Sequence, residues 1–429
     1  MLKAYLFFCF YYNLYWFFFE KNLEQIPNAP YIFPVLKDIV WIIFIFLSLI
    51  YVFIKETKEI KIYKASRFYN KNLLFVYGFF SLYLIVAVLH FSHKDFLEVI
   101  QHDIRNIIWY SPIIFLLPYL IKDNNDIKKI FRFLIFNGVI ISIFGLVTKF
   151  LGKEFLLHGG YRVISTFGNP NNLALFLNIL IFIILSKIFF EKKKNRKLII
   201  FLGLFLLCLI FTVSLTNLLA FIIGILIFFL LMIKNKKGII VILSISIFSF
   251  ILFSFGFFDN ILYKYERILE PNSSLSSYSG RVQQFYEVID YSEKTNLSSL
   301  LFGDFSLKRY HRYDSQYWNI LVNDGLILLI YFIFLFLYII YLGFKKANYF
   351  LKNNEYELAS IFMGISIALL TVLIVDFYFT AYLNRFPFNF LIYFFIGIIL
   401  LTNFSNSAKV EVKDQKVFSI PIKNDLKIE

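Results

Sequence analysis

Leu198 to Ile233 reads LIIFLGLFLLCLIFTVSLTNLLAFIIGILIFFLLMI, a run without one charged residue. A hydrocarbon core of roughly 30 Å takes about 20 apolar residues as a helix, so the run is too long for one crossing. Its flanks decide how it folds. EKKKNRK precedes it and KNKKG follows it, and basic clusters collect on one side of a membrane. The chain therefore returns to the side it left, crossing twice, and the polar TVSLTN at 212–217 supplies the turn.

The same reading extends along the 429 residues, of which 59% are hydrophobic and 21% aromatic. Apolar stretches of span length recur near 4–19, 34–54, 73–91, 107–121, 130–151, 171–190, 198–213, 216–233, 239–258, 319–343, 357–377 and 387–403. An all-α polytopic integral membrane protein with about twelve transmembrane helices and one large extracytoplasmic loop, at about 259–318, is expected. No hydrophilic segment is long enough to fold around a core of its own. Residues 1–403 are thus read as a single transmembrane domain and 404–429 as a charged cytoplasmic tail. Met1 to Phe19 carries one early lysine and no small-residue cleavage site, so it reads as a first span and not as a removed signal peptide. Cys9 and Cys208 lie inside apolar stretches and give no disulfide framework.

With both termini cytoplasmic, 28 of the 43 Lys and Arg residues fall on the inner side and 15 on the outer, the asymmetry that the positive-inside rule expects. The net charge of +15 is read as helix-end lysines facing anionic lipid headgroups; nucleic acid is not an expected partner, and membrane lipids are. This orientation puts three polar segments outside: RVISTFGNPNN at 162–172, the long 259–318 loop, and FTAYLNRFPFN at 379–389. A site assembled there has no ATP, so an activated substrate must arrive already energised and attached to a lipid.

Within RVISTFGNPNN, Asn169 suits a helix cap, Pro170 the first helical position and Gly168 a tight entry. Arg162 takes no part in that cap. In the long loop, Gly280-Arg281 opens an amphipathic helix with Val282, Phe285, Val288 and Ile289 at helical spacing. Leu301-Phe302-Gly303-Asp304 makes a turn. His311-Arg312-Tyr313-Asp314-Ser315 then leads into the tenth span, whose early turns carry Asn319, Asn323 and Asp324.

An arginine-bearing loop running into S-T-F-G-N-P-N-N, then one large external loop with S-G-R, F-G-D and D-S-Q-Y-W-N-I-L-V-N-D-G-L-I-L-L-I, resembles the bacterial O-antigen polymerase and O-antigen ligase superfamily over roughly 130–400. The resemblance implies about twelve spans and an undecaprenyl-diphosphate-linked glycan as donor. Polymerases of that family join lipid-linked oligosaccharide repeat units to one another, and ligases move the polymer onto lipid A core. The ligase branch carries a histidine where this sequence has Asp314, which favours a polymerase; His311, three residues upstream, keeps the ligase reading open.

The chemistry matches the residues on offer. Displacing undecaprenyl diphosphate leaves developing negative charge, which a guanidinium fork stabilises bidentately where lysine acts as a point charge. Arg162, Arg281 and Arg385 lie on three different external loops, and Arg267, Arg309 and Arg312 are additional candidates in the long one. The attacking hydroxyl needs a proton acceptor, a role that fits Asp314, with His311 as its alternative. Each residue also has a structural reading: arginines at helix ends snorkel to headgroups, and Asp314 suits a helix N-cap. His90, His93 and His102 read as isolated interfacial histidines, not a metal site. The expectation is inverting glycosyl transfer without metal or cofactor, with a polysaccharide chain-length regulator as a candidate partner. A lipid-linked oligosaccharide transporter is the competing class, but no repeat relates the two halves and the spans carry few central charges.

Overall fold

The structure, a computed structural model, describes residues 1–12, 32–58, 71–151, 155–157, 160–167, 169–190, 195–232, 276–304, 313–378 and 387–401. The span expected at 239–258, the tail at 404–429 and parts of the long loop lie outside the described residues. The fold is helical: α1 (Leu2–Tyr11), α2 (Ile32–Lys58), α3 (Lys71–Phe91), α4 (Phe96–Val99) running into a π-helix (Ile100–Ile108), α5 (Pro112–Leu120), α6 (Asn124–Phe150), α7 (Pro170–Phe190), α8 (Arg196–Phe211), α9 (Leu215–Met232), α10 (Ser276–Lys294), α11 (Leu297–Phe302), α12 (Gln316–Asp324), α13 (Leu326–Lys352), α14 (Tyr356–Tyr378) and α15 (Phe388–Leu400). A small antiparallel hairpin pairs β1 (Phe155–Leu157) with β2 (Gly160–Arg162), Phe155 opposite Arg162. Among the described residues, six helices are long and apolar enough to cross a membrane.

The run from Leu198 to Ile233 folds as two helices. Asn195 caps α8 by accepting from the Lys197 amide at 3.2 Å, and the chain turns at 212–214, where Val213 adopts φ +49°. The Asn178 side-chain amide donates to Asn217 O, Phe182 stacks on Phe221, and Phe189 meets Phe228 edge to face. Contacts rising in step along both helices make α7 and α9 parallel, so α8 between them runs the other way.

Helix α7 is apolar around its whole circumference, which suits a helix surrounded by others. Nearly nine-tenths of it is buried, against 17% for the peripheral α2. Helix α14 packs along it, close enough at Gly364 that a Cβ would overlap the Ile183 backbone, the small-residue approach common between membrane helices. Outward faces stay apolar: Phe46, Phe53, Phe136, Leu230 and Phe334 are all more than half exposed, a surface that water would penalise and lipid accepts.

Two ends of the bundle differ in chemistry. At one, Glu357 in the first turn of α14 accepts from Arg132 through both carboxylate oxygens (2.9 and 2.7 Å) and from Lys187 at 3.1 Å, fastening α6, α7 and α14 together. Replacing Glu357 with Gln removes the negative charge that both Arg132 and the mostly buried Lys187 face; it is expected to cost about 2 kcal/mol, read as a lower thermal midpoint of the detergent-solubilised protein. The opposite end collects Arg162, the 212–214 turn, α12 and the start of α15, where Phe388 stacks on Phe167.

Several boundaries differ from the sequence expectation. The tenth span is not continuous from 319: α12 ends at Asp324 and α13 begins after Gly325, whose φ of +93° breaks the helix. The span expected at 107–121 is instead a π-helix ending at Ile108 and a short α5 with Pro112 at its start, because proline cannot donate inside a continuing helix. Not all lysines near helix ends face headgroups: Lys94 and Lys187 are buried at 6% and 8% exposure, held respectively by Asp304 O and Glu357. His90, expected at the interface, is fully buried, whereas His93 is exposed.

Candidate functional site

Arg162 ends β2 and is only 3% exposed. Two bent segments hold it. After it the chain makes a 3-10 turn at Ser165–Phe167, entered through Ser165 at φ +47°, with the Ser165 hydroxyl donating to Ile141 O at 2.6 Å. Asn169 then caps α7 as the sequence suggests, its Oδ1 accepting from the Asn171 and Asn172 amides at 2.9 and 3.3 Å. Those first-turn amides are thus occupied by the cap.

The guanidinium has neutral partners. Its Nε donates to Thr212 O at 2.8 Å and its Nη2 to Asn171 Oδ1 at 3.0 Å. Among the described residues no carboxylate lies within ion-pair distance of it. Burial pulls its pKa down to about 10, so it stays charged at neutral pH while paying the desolvation of a cation. A buried charge without a counter-ion is costly, and an arriving anion would relieve that cost.

Asp314 stands at the same end. Tyr317 at the start of α12 donates its hydroxyl to Leu373 O near the far end of α14, opposite Glu357, and Arg162 precedes the start of α7, opposite Lys187. The Asp314 amide donates to Gln284 Oε1 at 3.0 Å, tying α12 to α10. Its capping reading is corrected: Ser315 is the N-cap of α12, accepting from the Trp318 amide. Asn319 staples the segment from below, accepting from the Tyr313 amide and donating to Tyr313 O and Ser315 O at 2.7 and 2.8 Å.

Asp304 is the residue that sequence reasoning read only as a turn. It is buried at 8% exposure, its amide donates to Val322 O at 3.0 Å and its carbonyl accepts from Lys94 Nζ at 2.6 Å. Next to it, Gly303 (φ +98°) lies on the backbone of Asn323, and Gly325 (φ +93°) on that of Leu301. The F-G-D and N-D-G motifs are thus two halves of one backbone junction at the end of α12. Burial pushes the Tyr313 hydroxyl up to about 12, with Glu287, Tyr291 and Asp304 adding to the shift, so Tyr313 remains a neutral hydroxyl in acidic surroundings.

Of the eight candidates named from the sequence, Arg162 and Asp314 are placed, at one end of the bundle but not in contact: Arg162 bonds Thr212 and Asn171. Arg281 lies in α10, which begins earlier than Gly280 and buries Val288 while leaving Phe285 and Ile289 more exposed; its side chain lies outside the described residues. So do Arg267, Arg309, His311, Arg312 and Arg385. Missed altogether was the 212–217 turn as a partner of Arg162. Its polarity between two apolar helices was the available signal. No protein-family model, curated protein or solved structure matches this chain.

Proposed function

We propose that this protein is a surface-polysaccharide polymerase that joins undecaprenyl-diphosphate-linked repeat units at the outer face of the bacterial plasma membrane. In this reading the chain crosses about twelve times with both termini cytoplasmic, and the Arg162 end faces outward. The observation that supports it is a buried arginine bonded to neutral groups, at the end of the bundle that also carries Asp314.

The diphosphate of the growing chain binds Arg162, with Arg281 and Arg385 as further contacts, and its developing charge is stabilised as the glycosidic bond to the lipid breaks. Asp314 accepts the proton of the acceptor hydroxyl as that oxygen attacks the anomeric carbon from the opposite face, inverting it. Atoms balance: one glycosidic bond forms, one breaks, and undecaprenyl diphosphate leaves.

A deletion strain tests this. It is expected to carry a single repeat unit on core, restored to a ladder by the wild-type gene. Lipid-linked polymer without any core-attached ladder would assign the protein as a ligase instead. Asp314→Asn, at normal protein level, is expected to leave the single-repeat pattern, a loss of at least about 100-fold for a general base. An unaltered length distribution would remove Asp314 from that role.

A further inference from the structure

Arg162 sits in a shell whose members come from two separate parts of the chain. Asn171 Oδ1 accepts from Arg162 Nη2 and also from Ser214 Oγ at 2.8 Å. Asn217 Nδ2 reaches both Asn171 O (3.2 Å) and Ser214 Oγ (2.9 Å), and Asn178 Nδ2 donates to Asn217 O at 2.8 Å. Thr212, Ser214 and Asn217 are each 1% exposed or less. The T-V-S-L-T-N turn between α8 and α9 is therefore built onto the start of α7.

The backbone is strained where these contacts are made. Val213 at φ +49° is a β-branched residue in the left-handed region, an outlier for its type. Its conformation leaves Thr212 O on Arg162 and the Ser214 hydroxyl on Asn171. Ser165 at φ +47° bends the other segment. Such strain, of order 1–3 kcal/mol each, persists where surrounding structure enforces it, and it clusters at functional sites.

The shell also selects which face of the guanidinium is left. Five N–H donors lie in one plane; Thr212 and Asn171 occupy the Nε and Nη2 side. The Nη1 and Nη2 edge meets no further acceptor among the described residues, and that edge is the fork that grips two phosphate oxygens. Every acceptor in the shell is a carbonyl or a hydroxyl. A carboxylate at 171 would hold the arginine at least as well and would neutralise it.

We propose that Asn171, Ser214, Asn217 and the Thr212 carbonyl are positioning groups that orient Arg162 without neutralising it, so that a diphosphate supplies a counter-ion. This rests on the reading of Arg162 as a diphosphate contact, and it names amides and hydroxyls that act through the arginine without touching the substrate.

The test uses the full-length protein in detergent, with inorganic pyrophosphate as probe, and reads two quantities: the unliganded melting temperature and the affinity from pyrophosphate-dependent stabilisation. Asn171→Ala removes an orienting acceptor, so it is expected to weaken pyrophosphate about 10-fold and to lower the unliganded midpoint. Asn171→Asp creates an ion pair with Arg162, so it is expected to weaken pyrophosphate about 100-fold or more with a midpoint at or above that of wild type. The two variants thus rank in opposite orders for stability and for binding, which a merely structural role would not produce. Ser214→Ala, which leaves Arg162 its Asn171 contact, is expected to weaken binding several-fold. Wild-type-like pyrophosphate affinity in Asn171→Asp overturns the proposal, as does a wild type that pyrophosphate does not stabilise. Glycan ladders from the same variants separate the two claims: binding lost with the ladder intact refutes Arg162 as the diphosphate contact of polymerisation and leaves the positioning assignment standing.

Discussion

Arg162→Lys is expected to lower polymer formation by about 100-fold or more while folded protein accumulates at normal level. The reason lies in the number and direction of donors. The arginine bonds Thr212 O and Asn171 Oδ1 along one edge and keeps a second edge in the same rigid plane. A lysine ammonium has three donors on one atom and cannot bond both acceptors and two phosphate oxygens at once. Losing two charge-assisted hydrogen bonds, at roughly 1.5–3 kcal/mol each, corresponds to at least about 100-fold in rate if they act in the transition state. Because the charge is kept, a purely electrostatic role would give a much smaller loss. Glycan ladders compared at matched protein level make the measurement, and a Lys variant with a normal ladder removes the bidentate contact.

Gly303→Ala and Gly325→Ala are expected to be the most destabilising single substitutions at the Arg162 end. Both glycines occupy a region of φ and ψ that is essentially closed to other residues, at φ +98° with ψ +167° and φ +93° with ψ +165°. Each lies against the backbone of the other's segment: Gly303 on Asn323 and Gly325 on Leu301. A Cβ meets backbone that cannot rotate away, so strain and overlap add to about 3 kcal/mol or more per site. Since both act on one junction, the double variant is expected to fall short of the sum. The α12 segment carrying Ser315 and Asn319 would shift with it, so Asp314 loses its position. Thermal unfolding in detergent, together with the ladder, reads both effects; an alanine at either site with an unchanged midpoint would contradict the geometry.

Much of the helical architecture was legible because apolar length and flanking lysines are strong local signals. Leu198–Ile233 was read as two helices from the basic runs around it, and two helices with antiparallel directions are found. Asn169 and Pro170 likewise announced the start of α7. What could not be read is where two distant turns meet. Asp324-Gly325 was a turn signal inside an apolar pattern, but the pattern continued past it and the break depends on Leu301 approaching from another segment. Ser315 outcompetes its neighbour Asp314 as cap, a choice between two good capping residues made by tertiary position. Lys94 and Lys187 follow the same logic: their partners, Asp304 and Glu357, are 210 and 170 residues away. The neutral surroundings of Arg162 belong to this class too, since Thr212 and Asn171 join it only in the folded chain.

The most direct measurement follows lipid-linked repeat units, extracted from the deletion strain, when the purified protein is reconstituted with them in proteoliposomes. The account predicts lipid-linked oligomers of two, three and more repeats without ATP, with one undecaprenyl diphosphate released per linkage formed, and their loss with Asp314→Asn. Single repeats persisting with wild-type protein, or consumed only when lipid A core is added, would contradict it.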